Sequence, residues 1–358
     1  MLLPLWLPLL LAERMASGPA DCASCELVPC GECQDGCPRS SQGCDPASGA
    51  SSRNGCRDGN AGCHPSGCTV PSPPTPPLPV GSSLCDEPGW ARVFSDEFSG
   101  NTLDNSTWGT DMGWDTLSSL RKAKQSSDNV YVQGGALVLR SQRQSAPAYT
   151  SGIPLKLYGN TTFNFTSGAV TSNGRRDFGG RGQTTRVCVR AQLPGGSGGA
   201  GTGYWPAHWL LPSGCPAGCT SPSCSAAELD ILEMVDGDGR AHATYHSQHN
   251  CTVSPHNLHD GGSVHVVNSS SSWHEYAVEY SPLKAVFYVD GQVVLDVPQC
   301  VASAPADSKC GVFFDTSYHL LLNTAIGGPW PQPPNAGTVF PGFHRVDWVR
   351  VASKKGPK

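Results

Sequence analysis

The chain has 358 residues, 15% charged and 38% hydrophobic, and its net charge of −5 with no long basic run leaves no electrostatic footprint for nucleic acid. Its 17 cysteines are too many for a reducing compartment, so most are read as disulfides; the odd one is free, intermolecular or removed by processing. The length suits one large domain with additions, since all-β sandwiches reach roughly 250 residues as single units.

Residues 1–20 open with MLLPLWLPLLLA, an apolar run shorter than the about 20 residues a bilayer span needs. Small residues follow at Ala16, Gly18 and Ala20, which is the pattern of a secretory signal. The ending SKKGPK has no hydrophobic tail for a GPI anchor. Asn105, Asn160, Asn164, Asn250 and Asn268 each begin an N-x-S/T sequon. The expected location is therefore outside the cell, secreted or in a cell wall, with no membrane span and a monomeric state.

Residues 21–69 carry nine cysteines, Cys22 through Cys68, and no Phe, Tyr or Trp. Such a segment cannot build an apolar core and reads as disulfide-stapled, acting as a spacer or protein contact rather than a sugar-binding module. Residues 70–84 form a stiff proline-rich linker. From residue 85 to 353 the composition turns globular. Short β-rich runs recur, among them ARVFSDEF, NVYVQGGALVLRS, TTRVCVRAQL, HEYAVEYS and HRVDWVRVA. Gly, Asn, Asp and Pro turns separate them, and Asp290–Gly291 joins two runs as a hairpin. No long 3.6-period segment competes. The expected fold is an all-β sandwich or jelly roll. The cysteines of this region, Cys188, Cys215, Cys219, Cys224, Cys251, Cys300 and Cys310, are expected to be mostly oxidised, with at least one bridge pinning 215–224.

The segment SAAELDILEMVDGDG admits two local readings. Leu229, Leu232 and Val235 recur at helical spacing. On a plain strand, Glu228 and Asp230 would share one face while Glu233 fell on the other, in the core, at a high cost for an unpaired carboxylate. A β-bulge near Ile231–Leu232 returns Glu233 to the face of Glu228, with Leu229 and Met234 pointing inward. Two carboxyls serve a retaining glycosidase as nucleophile and proton donor, and a third beside them shares a proton and raises one pKa. In YWPAHWLLP, Trp205, Ala207 and Trp209 alternate onto one strand face, where two indoles could stack on sugar rings.

E-L-D-I-L-E resembles the bulged E-x-D-x-x-E signature of laminarinase-like members of glycoside hydrolase family 16. VFSDEFSGNTLDNSTW, SDNVYVQGGALVLRS, RVCVRAQLPGG, GYWPAHWLLP, LLLNTAIGGPWP and RVDWVRV follow in the family's order, over about residues 88–352. The resemblance implies a β-jelly roll of two curved antiparallel sheets, with substrate lying across the concave one. It makes Glu228 the nucleophile, Asp230 its assistant and Glu233 the acid/base. It places Trp205 and Trp209 in the cleft, His246 as a substrate contact or orienting residue, and Trp330 and Trp114 along the cleft. No cofactor serves the chemistry, but a structural calcium on the convex side would use Glu97, the Gly135 carbonyl and Asp347.

The chain departs from the pattern at Ser118 and Ser119, where N-E-L-Q supplies a substrate-binding Asn, and at Ala169, where an Arg would reach the cleft. These differences leave the reaction and weaken the substrate assignment. The leading function is endo-hydrolysis of β-1,3- or mixed β-1,3/1,4-glucan with retention. Alternatives are transglycosylation, hydrolysis of another polysaccharide such as a galactan, and non-catalytic glucan binding, from which the three retained acids argue away.

Overall fold

The computed structural model describes residues 82–110, 112, 123–147, 162–196, 198–213, 228–248, 257–299, 313 and 315–355, together with three short strands near the N-terminus. Those three are Val28–Pro29 (β1), Cys44–Asp45 (β2) and Ala50–Ser51 (β3), an antiparallel set in the order β1-β3-β2. They belong to a unit of residues 1–75, separate from a second unit of residues 76–358.

The second unit begins with β4 (Ala91–Asp96), β5 (Ala123–Gln125), β6 (Val130–Gln133), β7 (Ala136–Pro147), β8 (Thr162–Ser167), β9 (Ala169–Thr171) and β10 (Phe178–Gly179). It continues with β11 (Gln183–Gln192), β12 (Tyr204–Pro212), β13 (Glu228–Glu233), β14 (Arg240–Gln248) and β15 (Asn257–His265). It ends with β16 (His274–Ser281), β17 (Lys284–Val289), β18 (Gln292–Pro298), β19 (Ser317–Ile326) and β20 (Gly342–Lys355). A seven-stranded sheet runs β10-β19-β12-β13-β14-β15, with β9 also on β19. A ten-stranded sheet runs β18-β17-β16-β11-β20-β7-β8-β5, with β4 on β20 and β6 on β7. All pairings in this unit are antiparallel except β5 with β8. The expected two-sheet sandwich is present.

Alternation explains the layering. Val187, Val349, Leu210, Leu229, Tyr245 and Leu322 point between the sheets and form one buried apolar core. Asp290–Gly291 joins β17 to β18 with φ of 49° and 79°, the two left-handed residues of a tight hairpin turn. At the rim the sheets touch: a Cβ on Gly262 would lie 2.2 Å from the Val294 carbonyl oxygen, so only glycine lets β15 approach β18. Under the seven-stranded sheet, buried His208 and His344 meet at 2.8 Å between their Nε2 atoms, and burial lowers both pKa values, His344 to about 4.

The chain enters the second unit through a fastened hook. Cys85 is bonded to Cys188 of β11. Arg186 donates to the Leu84 carbonyl and to Glu87 and Glu279, and lies over the Trp90 ring. The Leu84 N–H donates to Glu275, whose pKa is raised to about 7 mainly by burial. A carboxyl that keeps its proton when folded favours the native state at low pH. That contribution is lost as pH rises from the unfolded value near 4.5 through about 7. Glu275→Gln should therefore match the parent near pH 4.5 and exceed it by up to about 3 kcal/mol near pH 8. Denaturant unfolding at both pH values checks this; a difference that does not change with pH would contradict it.

Candidate active site

The bulge on β13 organises the site. Along β12, Trp209 faces Asp230 and His208 faces Leu232, so Ile231 has no partner. Along β14, Asp230 faces Thr244 and Glu233 faces His242, three steps against two. The extra residue turns Ile231 and Leu232 both into the core beside Leu229 and Met234. Glu228, Asp230 and Glu233 consequently all line one cleft on the outer face of the seven-stranded sheet. Trp205, Ala207 and Trp209 from β12 and Asn323 from β19 also line it, and its volume is about 690 Å³.

The three carboxyls have different surroundings. Glu228 and Glu233 are partly exposed, whereas Asp230 is 3% exposed. Burial, reinforced by the charge on Glu233, pushes the Asp230 pKa well above the usual carboxylate range. His246 lies opposite Glu228 across β13–β14, with its Nε2 at 2.9 Å from Asp230 Oδ2. One ligating atom each from Glu228, Asp230 and His246 fall within 4.8 Å of one another, the set among the described residues that could hold a metal. Trp205 Nε1 donates to Glu233 Oε1 at 2.9 Å, which fixes that carboxyl's orientation. Two partly exposed carboxyls around a buried one whose pKa is raised form an arrangement suited to acid/base and nucleophilic work on one bond.

The cleft brings together Glu228, Asp230, Glu233, Trp205, Trp209, His246 and Trp330. Trp209 is, among the described residues, the least accessible of the predicted aromatics at 8%, with Nε1 donating to Asn323 Oδ1 at 2.8 Å. Trp330 is 43% exposed and meets Trp205 and His242 edge-on, with ring centroids 5.9 and 4.9 Å apart. Trp114, Ser118 and Ser119 lie outside the described residues, as do Cys215, Cys219, Cys224, Cys251, Cys300 and Cys310. Ala169 is buried in an apolar cluster with Met112 and Trp209, beside Asn323.

Sequence reasoning missed His242, which lies across from Glu233 and whose pKa is lowered chiefly by burial. The signal was available: His242, Thr244 and His246 alternate along β14, so whatever face His246 takes, His242 shares it. Asn323 was missed as well, because nothing local in LLLNTAIGG separates it from the core leucines around it.

Glu97, which directly follows β4, and Asp347 of the adjacent β20 lie at one end of the ten-stranded sheet, near the β6–β7 turn that holds Gly135. Both carboxylates are engaged by arginine. Glu97 accepts two N–H groups of Arg350 at 2.9 and 2.8 Å, and Asp347 pairs with Arg190 at 2.5 Å.

The chain matches the model of glycosyl hydrolases family 16 over residues 121–309, a little more than half its length. A β-glucanase of Rhodothermus marinus is 27% identical over 280 residues, which are 76% of this chain and 88% of that protein. Glucan endo-1,3-beta-glucosidase A1 of Niallia circulans is 28% identical over 296 residues, covering 78% of this chain and 39% of that protein. The keratan-sulfate endo-1,4-beta-galactosidase of Sphingobacterium multivorum is 28% identical over 265 residues, covering 72% and 54%. The chain thus spans well under two thirds of the last two. Among solved structures, the catalytic domain of an endo-1,3-beta-glucanase (laminarinase) from Thermotoga petrophila RKU-1 superposes with a TM-score of 0.60. That pair is 25% identical and covers 75% of this chain and 99% of the other.

Proposed function

Because the chain belongs to glycosyl hydrolase family 16, we propose that it cleaves internal bonds of β-1,3- or mixed β-1,3/1,4-glucan with retention of configuration. The observation that carries this reading is the bulge that turns Glu228, Asp230 and Glu233 onto one cleft floor. Glu228 attacks the anomeric carbon while Glu233 protonates the leaving oxygen. Glu233 then takes a proton from the water that opens the glycosyl-enzyme. Asp230, held protonated by burial and by Glu233, donates a hydrogen bond to its neighbour instead of adding a third charge. His246 orients Asp230, the Trp205 N–H holds Glu233, and Trp205, Trp209 and Trp330 offer apolar surface to sugar rings. The chemistry needs no cofactor.

A panel of laminarin, lichenan, curdlan, agarose, carrageenan and xyloglucan, read by product mass and by the first-formed anomer, tests this. The expected result is internal cleavage of laminarin with the β-anomer appearing first. Cleavage confined to agarose or carrageenan would support a galactoside reading instead. Buried Ala169, standing where an Arg would reach the cleft, and the galactosidase relative both favour that second reading.

We read residues 1–20 as a secretory leader, 21–69 as a disulfide segment, 70–84 as a linker and 85–353 as the catalytic domain of a monomer. The asparagines of three sequons, Asn105, Asn164 and Asn268, are exposed, as glycan acceptors on an exported chain would be. A variant beginning at Ser82 keeps the Cys85–Cys188 bond and the Glu275 contact. It should equal the longer chain in kcat/KM on soluble laminari-oligosaccharides, and a collapse there would show that the N-terminal segment takes part in catalysis.

At the Glu97, Gly135 and Asp347 position we favour arginine pairing over calcium, since an ion would have to displace Arg350 and Arg190. Exhaustive EDTA treatment should leave Tm within about 1 °C. A bound calcium at 100 times its Kd would add about 2.7 kcal/mol, so a loss of several degrees that calcium restores would reinstate the ion.

A further inference from the structure

We propose that Asp236, outside the acid triplet, is a positioning residue that holds Trp330 at the cleft wall and so sets the grip on the sugar beside Glu233. Trp330 sits in the connection between β19 and β20, where no strand pairing holds an indole that is 43% exposed. Its two ring contacts, Trp205 and His242, are both neighbours of Glu233: one donates to that carboxyl and the other faces it across β13–β14. The position of Trp330 therefore shapes the space next to the proton donor.

Asp236 follows Glu233 by three residues and reaches back to two backbone N–H groups. Its Oδ1 accepts from Gly203 at 2.7 Å and from Gln332 at 3.1 Å, with Oδ2 at 3.2 Å from the same Gln332 nitrogen. Gly203 immediately precedes β12, and Gln332 lies two residues beyond Trp330. One carboxylate thus ties the exit of the acid strand and the entry of the Trp205 strand to the loop bearing Trp330. Asp236 holds this position at φ 56°, a left-handed conformation that costs a side-chain-bearing residue energy and that Gly or Asn adopt readily. The loop also packs directly on Gly203, where a Cβ would meet Pro334 at 2.6 Å. Other ties fasten the ends of the loop: Gly327 N–H to the Gly203 carbonyl, Thr338 Oγ1 to the Thr202 carbonyl and Val339 N–H to the Ala200 carbonyl. Asp236 is, among the described residues, the side chain bonded closest to Trp330 along this loop.

The inference rests on the cleft being the glucan site, and the test separates the two. Asp236→Gly keeps the left-handed backbone and removes only the carboxylate; Asp236→Asn keeps one acceptor oxygen. On laminari-oligosaccharides, Asp236→Gly should raise KM about fivefold with kcat within about twofold, and Asp236→Asn should recover part of the loss. In a Trp330→Ala background, Asp236→Gly should add nothing. Acrylamide quenching of tryptophan fluorescence, which needs no substrate, should rise in Asp236→Gly and not when Trp330 is already absent. A parent chain that neither cleaves nor binds these sugars would defeat the functional reading, and quenching would still decide the clasp. Unchanged KM and quenching in Asp236→Gly, or additive effects with Trp330→Ala, would overturn the proposal.

Discussion

Glu228→Gln and Glu233→Gln are each expected to lower kcat on laminarin by on the order of 10⁴-fold or more while the protein stays folded. Either change removes one of the two carboxyls that a double displacement requires, and Asp230, the third acid of the cleft, is only 3% exposed. The fold should tolerate both, because both side chains are partly exposed and neither supports the core. Asp230→Asn should cost less. Asp230 is already driven towards its neutral form by burial and by Glu233, so the amide keeps the shape and the uncharged state and loses only the shareable proton. Activity within tenfold of the parent in a folded Glu228→Gln or Glu233→Gln protein would remove the assigned roles. A leaving group that needs no protonation, such as an aryloxide, should restore the first step in Glu233→Gln and not in Glu228→Gln.

The second large effect separates the two platform indoles. Trp209 is 8% exposed, packs with Met112, Ala169 and Leu321, and donates to Asn323. Trp209→Ala should destabilise the protein by about 3–5 kcal/mol, the usual range for emptying such a site, and it leaves a polar acceptor unsatisfied. Trp205 is partly exposed and its N–H is bonded to Glu233, so Trp205→Ala should spare stability. It should instead lower kcat/KM by roughly 10- to 100-fold, through lost stacking and a loosened proton donor. Denaturant midpoints and oligosaccharide kinetics on both variants distinguish the cases. Equal stability losses with unchanged kinetics would make both indoles merely structural.

The fold was legible because strand-forming runs, turn residues and two-residue periodicity agree along residues 91–355. The Asp290–Gly291 turn is the plainest instance, since the dipeptide and its left-handed φ values belong together. The bulge was legible by elimination: without it Glu233 would be buried and unpaired in a core otherwise made of Leu229, Ile231 and Leu232. Contacts across long sequence separations were not legible. The Cys85–Cys188 bond spans 103 positions, and cysteine spacing alone leaves many pairings open. The Asp236 tie to Gln332 spans 96 positions and depends on where two loops meet. The resemblance offered Glu97 and Asp347 as calcium ligands, but their pairing with Arg350 of β20 and Arg190 of β11 joins distant parts of the chain and was not legible.

The most direct test of the central claim, that Glu228 attacks and Glu233 exchanges the proton, is azide rescue with an activated aryl β-glucan oligosaccharide. In Glu228→Gly, azide can enter the space left by the nucleophile and displace the aryl group once, so the product should be the α-glycosyl azide. In Glu233→Gly, Glu228 still forms the glycosyl-enzyme and azide opens it from the other face, so the product should be the β-glycosyl azide. Proton NMR of the two products reads the anomers. The α-azide from Glu228→Gly and the β-azide from Glu233→Gly is the predicted result; the reverse pairing, or the same anomer from both, would contradict the assignment.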